Sequence, residues 1–196
     1  MKTQASRRRR GFTLIELLVV IAIIAVLAAA GFGAALIGIN KAKKTKGIAT
    51  ASAIEQAVNA FYDTYGRLPD PSNSASQDET IDTKQQQGVD LITILMGKET
   101  DSPLQNDKKI KFLEVNEGKG GKGGLIYNTN GTIDGLFDPW GNGFKVVLDF
   151  DYDEEIEAPA ESMPQNATDR IKRGRRVLVY SLGIDEQGGS ETIKNW

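Results

Sequence analysis

Between Phe12 and Ile39 the chain runs for 28 residues with one charged side chain, Glu16. An apolar stretch of that length reads as a helix. The part from Leu17 to Ile39, 23 residues without a formal charge, would be about 35 Å long and could cross a bilayer core with some tilt. Inside such a segment an ionised side chain is costly unless it finds a partner, so Glu16 is the first candidate functional residue. Arg7 to Arg10 and then Gly11 stand directly before it. A secretory signal also places basic residues before an apolar core, but its core is shorter and a small-residue cleavage site follows it. Ala28, Ala29, Ala30 and Gly31 could mimic that site, yet apolar residues continue to Ile39.

Charge sets the orientation only weakly. The basic cluster before the segment favours the cytoplasmic side, but Lys41, Lys43, Lys44 and Lys46 lie just beyond its other end. Ala30, Ala34 and Gly38 share one helix face at four-residue spacing, which suits close helix contact or simply an alanine-rich span. Past Asn40, the residues Ile48, Ala51, Ile54, Val58, Phe61 and Tyr65 continue at three- and four-residue steps as an amphipathic helix. Gly66 and then Pro69 supply a stop. From Phe12 to Tyr65 this predicts one helix of about 80 Å, with the first half seeking lipid or other helices and the second half burying a stripe against a sheet.

Composition narrows the chemistry of the rest. The chain has no cysteine and no histidine, which removes disulfides, thiolate metal sites, and the commonest general base and zinc ligand. From Phe12 onward there are 19 basic and 26 acidic residues, a net charge of −7, so no nucleic-acid partner is expected. Residues 71–87 are polar and turn-rich and read as a loop. Val89 to Met96 reads as a helix or buried turn. Ile110 to Val115, Leu125 to Asn128, Phe144 to Phe150 and Arg176 to Leu182 read as short strands joined by turns. The expected class is α+β: a long amino-terminal helix packed on a small, mainly antiparallel sheet.

Two motifs match only in part. Gly118, Gly120 and Gly123 match G-x-G-x-x-G, but no helix pattern follows to present its amino terminus to a phosphate. Asp149, Asp151 and Asp153 begin like an EF-hand loop, yet Glu154 replaces the glycine at position six and Ala160 the glutamate at position twelve. On a strand the three carboxylates would share one face; a solvated acidic hairpin is the plainer reading, with a cation relieving the crowding as the alternative. The basic run Arg170, Lys172, Arg173, Arg175 and Arg176 could balance those acids, or bind a polyanion.

Residues 10–24, Arg-Gly-Phe-Thr-Leu-Ile-Glu-Leu-Leu-Val-Val-Ile-Ala-Ile-Ile, resemble the amino-terminal signature of type IV pilins and type II secretion pseudopilins. The resemblance implies cleavage between Gly11 and Phe12 by a dedicated inner-membrane prepilin peptidase, which also methylates the new amino terminus of Phe12. It implies in turn that Glu16 of one subunit neutralises the amino terminus of a neighbour within a filament, offsetting much of the desolvation cost of both charges. The domain plan that follows is a cytoplasmic leader over 1–11, a transmembrane and filament-core helix over 12–39, its amphipathic continuation over 40–66, and a periplasmic globular domain over 67–196 with a pilin fold.

Near the far end, Asp138-Pro139-Trp140-Gly141-Asn142 with Phe144, and Tyr180-Ser181-Leu182-Gly183-Ile184-Asp185 with Gly188 and Gly189, resemble the major pseudopilin. That resemblance implies a structural calcium in the last loop. Asp185 matches one acidic position, while Glu191 and Thr192 stand where paired aspartates are expected. Without a disulfide, that loop needs a metal or the packing of Trp196 as its pin. The implied role is structural and not enzymatic: a homopolymeric periplasmic pseudopilus for type II secretion, drawn from a single-pass inner-membrane precursor. Its partners would be the assembly ATPase, the inner-membrane platform and minor pseudopilins. The alternative is a type IV pilin in a surface fibre for adhesion, motility or DNA uptake. A rival of another class is a membrane-anchored periplasmic enzyme that uses the acidic cluster as a metal site.

Overall fold

The computed structural model describes residues 12–100, 102–164, 167–184 and 192–196, without the side chains of residues 30–36. The first helix, α1, runs Leu14–Tyr65. It ends where sequence chemistry predicts: Gly66 takes the left-handed conformation at φ 69°, and its N–H closes on the Tyr62 carbonyl at 2.7 Å. The chain divides into two compact units, up to Ala42 and from Lys43 to Trp196.

In the first unit the described large apolar side chains are exposed, from Val20 at 43 % to Leu14 at 83 %. Among the described residues no helix is long and apolar enough to cross a membrane. The span expected over 12–39 includes residues 30–36, so the Ala30 and Ala34 face lies outside the described side chains.

The second unit carries the buried core. Ala51, Ile54, Ala57, Val58 and Phe61 line one stripe of α1 and are at most 2 % exposed. Strands β1 (Glu79–Asp82), β4 (Lys145–Leu148), β7 (Val177–Ser181) and β8 (Ile193–Lys194) form an antiparallel sheet in the order β1-β4-β7-β8. Period-two alternation sorts the two faces of this sheet. Val146, Leu148, Val177 and Val179 join the α1 stripe in one core, whereas Val147, Leu178 and Tyr180 join Ile156 and Ala158 in a second. All five residues of β7 are consequently buried. The hairpin of β5 (Glu155–Glu157) and β6 (Ile171–Arg173) contributes Ile156 to that second core. A second hairpin pairs β2 (Gly124–Tyr127) with β3 (Ile133–Phe137). Helix α2 (Gln86–Leu95) packs Leu91, Ile92, Ile94 and Leu95 into the larger core.

The α+β class, with a helix packed on antiparallel sheet, is as expected and consistent with a pilin fold. Two segments differ from expectation. Residues 110–115 form no strand: the N–H groups of Phe112 and Leu113 both bond to the Leu95 carbonyl, at 2.9 and 3.0 Å, so no ladder is available to them. Conversely, β1 lies within the expected loop of 71–87, because its Ile81 is fully buried and its backbone completes the edge of β4.

Candidate functional site

Helix α1 starts with a reciprocal cap. Thr13 occupies the position before the first helical residue and Glu16 the third helical position, in the order Thr-Leu-Ile-Glu. The Thr13 N–H and hydroxyl both donate to Glu16 Oε2, at 2.8 and 2.7 Å, while the Glu16 N–H donates to Thr13 Oγ1 at 3.3 Å. This is a capping box, in which two amide donors that a helix start leaves unpaired are satisfied by each other's side chains. A carboxylate there also faces the positive end of the helix dipole. Glu16 thus has a hydrogen-bonding partner within its own chain. Thr13 escaped the sequence reading although Thr-x-x-Glu before an apolar run is a recognisable cap signal. Phe12 is 78 % exposed. Gly11, the other half of the expected cleavage bond, lies outside the described residues.

The two far-end blocks meet in space through Asp138, which the sequence reading passed over in favour of Pro139 and Trp140. Asp138 is fully buried. Its Oδ1 accepts the N–H groups of Trp140, Gly141 and Asn142 at 2.8, 2.7 and 2.9 Å, and its Oδ2 accepts the Ser181 hydroxyl at 2.6 Å. Asn142 Nδ2 adds a bond to the Gly183 carbonyl. The aspartate therefore both folds the turn of 138–142 and ties it to the end of β7. Trp196 stands edge-on to Tyr180 with ring centroids 6.0 Å apart, so of the two alternative pins the tryptophan is packed on the second core. Asp185 and Glu191, the expected calcium ligands, lie outside the described residues.

The acidic and basic runs resolve differently from the sequence picture. Asp149, Asp151 and Asp153 are not on a strand and do not share a face: they follow β4 in the connection to β5, with Asp149 buried and the other two exposed. The basic run pairs with acids, Arg173 to Glu155 at 2.8 Å, Arg170 to Glu157, and Arg175 to Glu55 at 3.1 Å. The side chain of Arg176 lies over the Tyr62 ring at 4.3 Å. This basic segment is therefore largely engaged within the fold. The glycine-rich segment turns back on itself through a Lys119–Lys122 bridge, with Gly120, Gly121 and Gly123 at positive φ.

Neither a curated protein nor a solved structure matches the chain. Residues 6–32 match the family model of the prokaryotic N-terminal methylation motif, which supports a type IV pilin-like precursor.

Proposed function

We propose that the chain is a structural filament subunit, inserted as an inner-membrane prepilin, cleaved between Gly11 and Phe12, methylated on Phe12 and assembled into a periplasmic pseudopilus for type II secretion. The carrying observation is the apolar surface of α1 from Leu14 to Leu27, exposed within the chain and adjoining the methylation motif. A contiguous exposed apolar surface of this kind marks a contact with a membrane or with other protein. Lipid covers it before assembly and equivalent helices cover it afterwards. In that packed environment the local Thr13 bonds do not neutralise the Glu16 charge, whereas the ammonium exposed on Phe12 of a neighbouring subunit would. A prepilin peptidase, an assembly ATPase with its membrane platform, and minor pseudopilins complete the machinery. No residue of this chain is assigned a catalytic role.

The pseudopilus is preferred to a surface pilus because the two blocks resembling the major pseudopilin are joined by the Asp138 to Ser181 bond. In the native cell, deletion of the gene should leave folded export substrates in the periplasm without removing surface fibres. Loss of surface fibres with export intact would reverse the choice. Mass spectrometry of the mature chain should find N-methylated Phe12 at its start, and an uncleaved Gly11 would rule out the processing step.

A further inference from the structure

One buried carboxylate is only half satisfied by its neighbours. Asp149 is 1 % exposed, and its Oδ1 is buried with no hydrogen-bond partner, while Oδ2 accepts the Glu154 N–H at 3.1 Å. A buried carboxylate oxygen in that condition is strongly disfavoured. Its surroundings make the problem worse. The β1–β4 pairing sets Glu79 against Leu148, and the next step of that antiparallel register brings Asp78 opposite Asp149. Asp151 adds a third carboxylate, and one oxygen from each of the three lies within 4.8 Å of the others. None of the ion pairs among the described residues involves these three.

We infer that Asp78, Asp149 and Asp151 bind a calcium ion. Three carboxylates with no nitrogen or sulfur donor select a hard cation. Two oxygens bound to one calcium at about 2.4 Å can be separated by at most about 4.8 Å, so the observed spacing falls within its reach. The connection after β4 is irregular, with Tyr152 and Glu154 at positive φ, and calcium tolerates such irregular ligand sets where magnesium demands a near-ideal octahedron. Water supplies the remaining ligands. Partial desolvation, followed by the charges of Asp151, Asp149 and Asp153, pushes the Asp78 carboxyl up to about 6, consistent with a site short of positive charge. The ion would fix more than the acids themselves. Tyr152, inside the same loop, accepts the Leu68 N–H at 3.1 Å and packs against Tyr62 at 6.3 Å, so the site pins this loop to the end of α1 within the second unit. It is separate in sequence from Asp185 and Glu191, and it does not depend on which filament the chain builds.

The test is thermal unfolding of the full processed chain in detergent, with calcium chloride, magnesium chloride or a chelator. The background carries Asp185→Asn and Glu191→Gln, so that the terminal loop cannot contribute. Calcium at a hundredfold excess over Kd should raise Tm by about 5–10 °C, and magnesium at the same concentration by much less. Adding Asp78→Asn and Asp151→Asn, both at exposed positions, should raise the calcium-free Tm by relieving repulsion and abolish the calcium increment. That pair of opposite effects would not come from a merely structural role. The assignment is overturned if calcium gives no increment in that background, if the increment survives the two asparagines, or if magnesium matches it.

Discussion

Ser181 at the end of β7 donates its hydroxyl to Asp138 Oδ2 at 2.6 Å, both residues fully buried, and this bond joins the two sequence blocks that lie farthest from the methylation motif. Hydrogen bonds to a buried charged group contribute about 1.5–3 kcal/mol each. Ser181→Ala should therefore cost about 2 kcal/mol. Asp138→Ala should cost more, about 3–5 kcal/mol, because three backbone donors lose their acceptor as well. Urea unfolding of the two single variants and the double variant would check this. The double should cost clearly less than the sum of the singles, and strict additivity would mean that the two side chains do not act through one bond.

A single substitution can separate the helix cap at Glu16 from the assembly role proposed for its charge. Glutamine preserves the capping box, since its carbonyl accepts the same Thr13 donors, but it removes the charge. Glu16→Gln should leave helix content, membrane insertion and cleavage intact while sharply reducing incorporation into sheared filaments. Thr13→Val should do the reverse, weakening the helix start by about 1 kcal/mol with incorporation retained. Wild-type polymerisation by Glu16→Gln would show that assembly does not read the carboxylate's charge.

Gly88 sits in the first turn of α2, where an alanine would ordinarily favour the helix by about 1 kcal/mol. Here an added Cβ would lie 2.1 Å from the Asp82 carbonyl oxygen and 2.4 Å from Thr83 Cα. These are backbone atoms at the end of β1 and cannot swing aside. Gly88→Ala should consequently destabilise the fold by about 1–3 kcal/mol, as overpacking does, and a rise in the denaturation midpoint would contradict the close approach.

What could be read in advance was what local pattern encodes. Glu16 stood out because a charge inside an apolar run is visible without any fold, and the stripe from Ala51 to Phe61 followed from helical spacing. Strand β1 was hidden because Ile81 is the one buried residue of Glu79–Asp82 and the partner that makes it a strand, β4, is distant in sequence. Residues 110–115 misled for the opposite reason: Leu113 is buried and the apolar pattern is real, but the backbone bonds go to Leu95. The meeting of Asp78 with Asp149 needed the register of a strand that could not be foreseen. The role of Asp138 needed the position of Ser181.

Tyr180 allows a pH experiment on the second core. The residue is fully buried, and its hydroxyl donates to Glu161 Oε1 at 2.6 Å. Burial, then the Glu161 hydrogen bond and charge, push its ionisation well above the ordinary tyrosine value of 10.0. A folded-state value above the unfolded one means that the native chain holds the proton more tightly. The associated stability is full below about pH 10 and is lost as the pH rises beyond it. Tyr180→Phe removes both the hydrogen bond and this dependence. At about pH 8 the variant should be less stable than the unchanged chain by about 1 kcal/mol. At about pH 11 the difference should shrink or vanish, because only the unchanged chain then loses stability through this hydroxyl. Urea unfolding followed by tryptophan fluorescence at both pH values measures the two gaps, with Trp196 reporting from the edge of the same ring. An identical gap at both pH values would show that this proton is held no more tightly in the folded chain than in the unfolded one.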